Sequence, residues 1–288
     1  MTLDQKIKGK IYLVATPIGN LGDFSFRAVA VLKTVDIAAA EDTRRTKILL
    51  EHYGISKKIF CLREHNEAAA AEGLVALALE GKSVAYLSDA GTPLISDPGL
   101  ILVKKALAAG VAVEAIPGTA AFLPALILSG LSTEKFKFCG FLPAKRPLRL
   151  AALDEVDDET ATLVFYEAPH RIKETLADIL GILGNRQMAV CRELTKKFEE
   201  VRRGSVFEIL AYFQKSAPRG ELVLVLEGAR PAEKAETSLE ITFENLTREL
   251  LRLKIPEKNI LSIFKNIFKT PRNQTYRMIL KIKKSLTS

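Results

Sequence analysis

Two polar clusters hold the side chains best suited to proton transfer and anion binding: Glu41-Asp42-Thr43-Arg44-Arg45-Thr46 and Arg63-Glu64-His65-Asn66-Glu67. Each stands at the end of a short apolar run, where paired arginines and carboxylates would face one cleft. Asp42 and Asn66 also suit helix N-caps, so a capping role competes with a chemical one. Tyr166-Glu167-Ala168-Pro169-His170-Arg171 is a further strand end of this kind, with Pro169 suited to a helix start. His170 there fits packing or capping as well as catalysis.

Three other loops are rich in glycine, proline and small residues. Thr16-Pro17-Ile18-Gly19-Asn20-Leu21-Gly22-Asp23 follows a strand and precedes a helix, which leaves backbone N–H groups free beside a cleft. It is not G-x-G-x-x-G and lacks the lysine of a phosphate-binding P-loop. Leu87 to Gly99 holds Gly91 and Gly99, Pro93 and Pro98, Asp89 and Asp97, types that fix an unusual backbone path or cap a turn, and a binding role is expected of it. Ile116-Pro117-Gly118-Thr119-Ala120-Ala121 opens a helix with small residues that allow close approach to the backbone.

The elements that must position these loops alternate between short β-type runs and longer helical stretches, which predicts βα units around a mainly parallel sheet. Strands are predicted at Lys10–Thr16, Val35–Ala40, Ser83–Leu87, Val111–Ile116, Phe136–Phe141, Ala161–Tyr166, Gln187–Arg192, Glu200–Arg203 and Glu221–Glu227. Glu67 to Leu79, rich in Ala, Leu and Glu, reads as a helix, and Ser205 with Glu208 three residues on reads as a capping box. In such a sheet ligands gather outside the carboxyl ends of the strands, where these loops lie. A break between Leu128 and Thr133 divides the α/β region into lobes at residues 1–130 and 131–228. All 17 glycines end at Gly228, so 229–288 reads as a linker from Arg230 to Ser238 followed by helices at Leu239–Lys254, Glu257–Lys269 and Arg272–Lys284.

Charge sharpens this division. The chain carries +8 overall, and residues 229–288 hold 13 basic and 6 acidic side chains, a local excess of 13 − 6 = +7. That concentration suggests an anionic partner, nucleic acid before membrane surface, with a solvated helical face as the plain alternative. Hydrophobic residues at 48% and charged residues at 26% exclude general disorder. No run approaches the roughly 20 apolar residues of a membrane span, and residues 1–10 lack a signal-peptide core, so a cytoplasmic protein is expected. Cys61, Cys139 and Cys191 have no metal-ligand spacing with His52, His65 or His170, so neither a disulfide framework nor a metal site is expected.

Taken together, these segments resemble the ribosomal RNA small-subunit methyltransferase I group of the tetrapyrrole methylase superfamily. The resemblance rests on Val14 to Asp23, Ala40-Glu41-Asp42-Thr43-Arg44, Ser88 to Gly99, Ile116 to Ala120, Gly140-Phe141-Leu142-Pro143 and Tyr166 to Arg171, in family order from about Lys10 to Gly228. It implies a two-lobed α/β enzyme, usually a homodimer, that binds S-adenosylmethionine between its lobes and 2′-O-methylates a cytidine of small-subunit ribosomal RNA. Relatives that methylate tetrapyrroles carry Gly-Asp-Pro where this chain has Gly91-Thr92-Pro93. Carried over by motif position, the cofactor pocket comprises Pro17 and Ile18; Gly91, Thr92, Pro93, Leu94 and Ile95; Thr119, Ala120 and Ala121; and Phe165, Tyr166 and Glu167.

Methyl transfer is an in-line displacement, so the enzyme must align the acceptor with the methyl group and exclude water. A ribose hydroxyl needs its proton taken, and Asp42, Glu64 and His65 are the candidate bases, unranked. Arg44, Arg45 and Arg171 would hold flanking phosphates, with Lys145, Arg146 and Arg149 as a second RNA contact. The partner would be ribosomal RNA or the assembled small subunit. A tetrapyrrole methyltransferase and a non-catalytic ribosome-binding protein are the competing readings; a nucleotide-phosphate enzyme is a distant third.

Overall fold

The predicted alternation resolves into two five-stranded sheets. A computed structural model describes residues 9–215, 219–229, 236–252, 255–267, 270 and 272–286. In the first sheet, β1 (Lys10–Val14), β2 (Ile37–Ala40), β3 (Ile59–Cys61), β4 (Val84–Leu87) and β5 (Ala112–Ile116) lie in the order β3-β2-β4-β1-β5. Every pairing is parallel. Strands β2 and β4 are buried throughout, as expected where helices cover both faces. Ala38, Ala85, Leu87 and Ile116 pack under α1 (Phe26–Thr34) and α2 (Thr43–His52). Ile11, Ala39, Val84 and Tyr86 pack under α3 (Glu67–Leu79) and α4 (Leu100–Ala108). The strand reading omits β3, which is only three residues long.

Helix α5 (Phe122–Ser129) leaves the first sheet and lies across the second. It ends at Gly130, whose left-handed backbone (φ 77°) closes the helix inside the predicted break. The second sheet contains β6 (Phe136–Phe141), β7 (Thr162–Glu167), β8 (Gln187–Arg192), β9 (Glu200–Ser205) and β10 (Leu222–Leu226), in the order β6-β7-β10-β8-β9. Only the β6–β7 pair is parallel; β7–β10, β10–β8 and β8–β9 are antiparallel. This corrects the expectation of a mainly parallel sheet for this half. The segment 193–199 between β8 and β9 is too short for a helical crossover, so the two strands pair as an antiparallel hairpin.

Side chains on the second sheet alternate faces with period two. Leu163, Phe165, Met188, Val190, Leu222 and Leu224 pack with α6 (Arg146–Asp154), α7 (Ile172–Ile182) and α8 (Val206–Lys215). Val164, Ala189, Cys191, Val223 and Val225 face Ala125 and Leu126 of α5 and also Ile18. A shared core therefore joins the two sheets. The predicted capping box opens α8: the Glu208 carboxylate accepts from Ser205 N (2.8 Å), and Ser205 Oγ accepts from Glu208 N (3.3 Å).

Contacts divide the chain into two compact units, Met1–Ala229 and Arg230–Ser288. In the second, α9 (Glu236–Arg252), α10 (Glu257–Ile267) and α11 (Arg272–Leu286) surround Ile260, Phe264 and Ile279. The Phe243 and Phe264 rings meet at 5.6 Å. Helix α9 begins inside the stretch read as a linker, because Glu236 to Ser238 are helical; residues 230–235 lie outside the described residues.

Candidate active site

Strands β1 and β4 are neighbours at the point where strand order reverses, so the loops that follow them flank one crevice. A short antiparallel bridge links Thr16 and Gly91: Thr16 N donates to Gly91 O (2.8 Å) and Gly91 N to Thr16 O (3.0 Å). Side chains tighten the connection. Thr16 Oγ1 donates to the Ser88 carbonyl (3.0 Å), Thr119 Oγ1 to the Thr16 carbonyl (2.5 Å) and Thr92 Oγ1 to the Thr119 carbonyl (2.8 Å). The loops after β1, β4 and β5 thus form one rigid floor. Gly91 suits this junction because its backbone is left-handed (φ 89°).

Between this floor and the second sheet lies a cleft of about 420 Å³. Its floor is built from Ile18, Ala90, Gly91, Thr92, Ile95, Ala120 and Ala121. The second sheet supplies Phe141, Tyr166, Glu167, Ala168, Cys191, Leu222 and Val223. Glu41, Arg45, Asp89, Ser96 and Asp97 form a polar edge. Small residues leave backbone groups exposed toward an apolar wall, which fits a ligand with a flat ring and a polar tail.

Each carboxylate at the polar edge is held differently. Asp89 accepts from the Asp42 backbone N (2.9 Å) and lies 3.7 Å from Arg45 Nη1. Burial and then the Asp89 charge push the Glu41 carboxyl up, while Arg63 and Arg45 act against the shift. Asp97 makes no hydrogen bond or ion pair among the described residues, and burial, followed by Glu41 and Asp89, pushes its carboxyl up to about 7. Its loop is strained and anchored. Leu94 (φ 71°) and Ser96 (φ 63°) are left-handed without being glycine, and Gly99 (φ 124°) could not carry a Cβ without meeting Leu94 Cδ1 and Tyr86 Cε1 at 2.8 Å. Beyond it, buried Glu67 accepts from Gly99 N (2.9 Å) and Ile101 N (2.7 Å) at the start of α4.

Of the residues expected to hold the cofactor, Ile18, Gly91, Thr92, Ile95, Ala120, Ala121, Tyr166 and Glu167 line the cleft. Pro17, Pro93, Leu94, Thr119 and Phe165 do not. Leu94 packs into the core beneath α3 and α4, and Thr119 spends its hydroxyl on Thr16. Phe165 has the wrong strand parity and points into the core under α7, opposite Tyr166. Glu167 lines the cleft, yet its buried carboxylate accepts from Ala168 N (2.7 Å), Arg171 Nε (2.9 Å) and Thr175 Oγ1 (2.5 Å).

None of the three candidate bases lines the cleft. Asp42 caps α2, accepting from Arg44 N (2.9 Å) and from the Arg44 guanidinium, which holds its carboxyl at about 2. So acidic a group is a weak base. Glu64 and His65 sit exposed in a single 3₁₀ turn, Glu64–Asn66. Of the acids that line the cleft, Glu41, Asp89, Asp97 and Glu167 lie within segments singled out from the sequence, and Glu221, just before β10, does not.

The expected RNA contacts also divide. Arg45 stands on the cleft edge and Arg44 is exposed beside it, while Lys145 and Arg146 are exposed at the start of α6. Arg149 is only 1% exposed and donates from Nε to Asp178 Oδ2 (2.8 Å), so a phosphate contact by this side chain is corrected to a buried ion pair. Its spacing with buried Leu153, one helical turn on, marks it as part of the packed face of α6. Arg171 is likewise committed to Glu167 and to the Leu142 carbonyl (2.8 Å).

Residues 10–210 match the family described as Tetrapyrrole (Corrin/Porphyrin) Methylases. The chain is 49% identical over 240 residues to ribosomal RNA small subunit methyltransferase I of Halalkalibacterium halodurans, covering 83% of this chain and 82% of the relative. It is 42% identical over 277 residues to the protein of that name from Escherichia coli O157:H7, covering 95% of each. The chain belongs to the ribosomal RNA small subunit methyltransferase I group of the tetrapyrrole methylases. Among solved structures, cobalt precorrin-4 methyltransferase superposes with a TM-score of 0.60 at 14% identity, covering 79% of this chain and 98% of that one. Uroporphyrin-III-C-methyltransferase from Thermus thermophilus superposes with a TM-score of 0.55 at 23% identity, covering 76% and 94%. These two likenesses are of fold.

The family are S-adenosylmethionine-dependent methyltransferases, and this chain is one. The cleft fits that methyl donor. Ile18, Ile95, Leu222 and Val223 offer apolar cover, and Gly91, Ala120 and Ala121 offer open backbone. Among the described residues, no part of the wall presents an unpaired cation that would repel the sulfonium.

Proposed function

We propose that this enzyme transfers a methyl group from S-adenosylmethionine to the 2′-hydroxyl of a cytidine in small-subunit ribosomal RNA. The observation that carries the reading is the edge of the cleft, where unpaired acid stands beside arginine. Asp97 and Glu41 face inward, and Arg45 lies at the rim with its side chain 68% exposed. A ribose hydroxyl needs a base, and its flanking phosphates need cations. The second unit adds exposed Lys258, Lys265 and Arg277, a basic surface that a porphyrinogen would not require.

Chemistry at the cleft follows from its own residues. The apolar wall excludes water, the knitted loops hold the donor against the floor, and the acidic edge takes the proton of the acceptor. Two further features complete the reading: action in the cytoplasm and assembly as a homodimer. Leu123 (43% exposed) and Ile127 (72%) stand one turn apart on α5, near Phe136 (41%), and an apolar face of this kind supports pairing with a second copy.

The test is incubation with methyl-labelled S-adenosylmethionine and unmodified small ribosomal subunits, with naked ribosomal RNA and a porphyrinogen as parallel acceptors. Label in the RNA, mapped by nuclease digestion to one cytidine, is expected. Label on the porphyrinogen alone would overturn the reading.

A further inference from the structure

We propose that the Phe141 ring is the platform on which the base of the acceptor nucleotide stacks, a role that rests on the RNA reading above. A single exposed phenylalanine is ordinary on a protein surface. This one is exposed by a specific device. Along β6 the register pairs Phe136 with Thr162, Lys137 with Leu163 and Phe138 with Val164, then resumes with Gly140 opposite Phe165 and Phe141 opposite Tyr166, leaving Cys139 out. Such a bulge re-aims every side chain beyond it, because the faces of a strand alternate with period two. Without it Phe141 would share the face of Cys139, which packs against the core that lies with α6, α7 and α8. With it the ring stands on the same face as Tyr166, lines the cleft and is 56% exposed.

Gly140 makes this turn possible. Its backbone is left-handed (φ 64°), a conformation that glycine adopts without strain. A Cβ there would meet only Ser96 Oγ, at the ordinary contact distance of 3.5 Å, so the glycine serves the backbone path rather than close packing. The same neighbour places the end of β6 against the loop between β4 and α4, where the floor of the cleft meets the second sheet. Aromatic contacts then brace the ring: Phe141 lies 5.4 Å from Tyr166, Tyr166 4.9 Å from Phe138, and Phe138 4.8 Å from Phe122 of α5. A ring supported from behind and open to the cleft offers a free π face.

Chemistry names the occupant. Seating a ribose hydroxyl at a methyl group inside a cleft takes its nucleotide out of the stack of its neighbours, and an aromatic side chain replaces the stacking that is lost. Every base has a π face, so the contact holds the nucleotide without reading it. Beyond Phe141 the chain buries Leu142 and then presents exposed Lys145 at the N-cap of α6, where a cation suits the phosphate beside a stacked base.

The test uses full-length wild type, Phe141→Leu and Phe141→Trp, with unmodified small ribosomal subunits as the acceptor. Single-turnover transfer at subsaturating subunit should fall roughly 10-fold or more in Phe141→Leu, which stays apolar but has no π face, and remain within about threefold of wild type in Phe141→Trp. Donor affinity by calorimetry and the melting temperature should match wild type in both variants. As a second readout, p-benzoylphenylalanine in place of Phe141 should photocross-link to the methylated nucleotide or its immediate neighbour, whereas the same probe in place of Phe207, exposed outside the cleft, should not. Phe141→Leu at wild-type speed, Phe141→Trp as slow as Phe141→Leu, a loss of donor affinity that accounts for the slower transfer, or a cross-link confined to other nucleotides would each overturn the stacking role alone. Wild type that labels a porphyrinogen and no RNA would overturn the reading beneath it.

Discussion

The two walls of the cleft treat their carboxylates in opposite ways. On the second sheet, Glu167 is fully buried, accepts three hydrogen bonds and pairs with Arg171, which makes it a structural post. Across from it, Asp97 is left without a donor among the described residues. Packing accounts for the contrast: Glu167 ends a strand with α7 over it, while Asp97 sits on the loop that joins β4 to α4. One acid is bonded into the fold on three sides, and the other is half-buried beside two like charges.

The largest expected effect comes from breaking the structural side. Glu167→Ala should leave Arg171 partly buried without its partner and cost about 3–5 kcal/mol in urea unfolding. A loss below about 1 kcal/mol, the range of an exposed pair, would erase the contrast. Arg149→Ala, which leaves the buried Asp178 only Arg146 as its partner (Nε to Oδ1, 3.0 Å), should cost somewhat less, and the salt dependence of RNA affinity should stay as in wild type. A shallower salt slope in that variant would return Arg149 to the RNA-binding surface.

A smaller effect should come from the tail. Ending the chain after Gly228 should leave S-adenosylmethionine affinity unchanged and weaken RNA affinity, with the slope of log K against log salt falling by roughly 1 for each phosphate that the tail neutralises. Equal RNA binding by both forms would remove the second unit from recognition. The smallest effect sharpens the comparison. Because folding raises the Asp97 carboxyl from 3.8 to about 7, its favourable contribution is complete below pH 4 and is lost as pH rises through 7. Asp97→Asn should therefore melt a few degrees higher than wild type at pH 8 and almost together with it at pH 4. A stability gain that does not depend on pH would contradict this.

Much of the scaffold is legible in the sequence because it is local. Glu67–Leu79, Phe136–Phe141 and Gln187–Arg192 form where composition and alternation place them, and the Ser205–Glu208 box caps its helix. The antiparallel insertion of β10 between β7 and β8 is not legible, since it depends on pairing between residues distant in the chain. The site divides in the same manner. Glycine, proline and aspartate mark the Ser88–Gly99 loop as special, but only the left-handed turns at Leu94 and Ser96 decide that Ile95 and Asp97 face the cleft. Asp42 beside two arginines looks catalytic in sequence and is a cap in space. Arg149 looks free in sequence, although Leu153 four residues on already points to the buried face.

The claim that this cleft methylates a ribose is tested most directly by the chemistry of the product. A 2′-O-methyl group removes the neighbouring hydroxyl that attacks phosphate in alkali, whereas a methyl on a base leaves it in place. Small subunits labelled by the enzyme should, after complete alkaline hydrolysis of their RNA, release the label as an alkali-resistant dinucleotide containing cytidine. Label recovered entirely in mononucleotides would contradict the account.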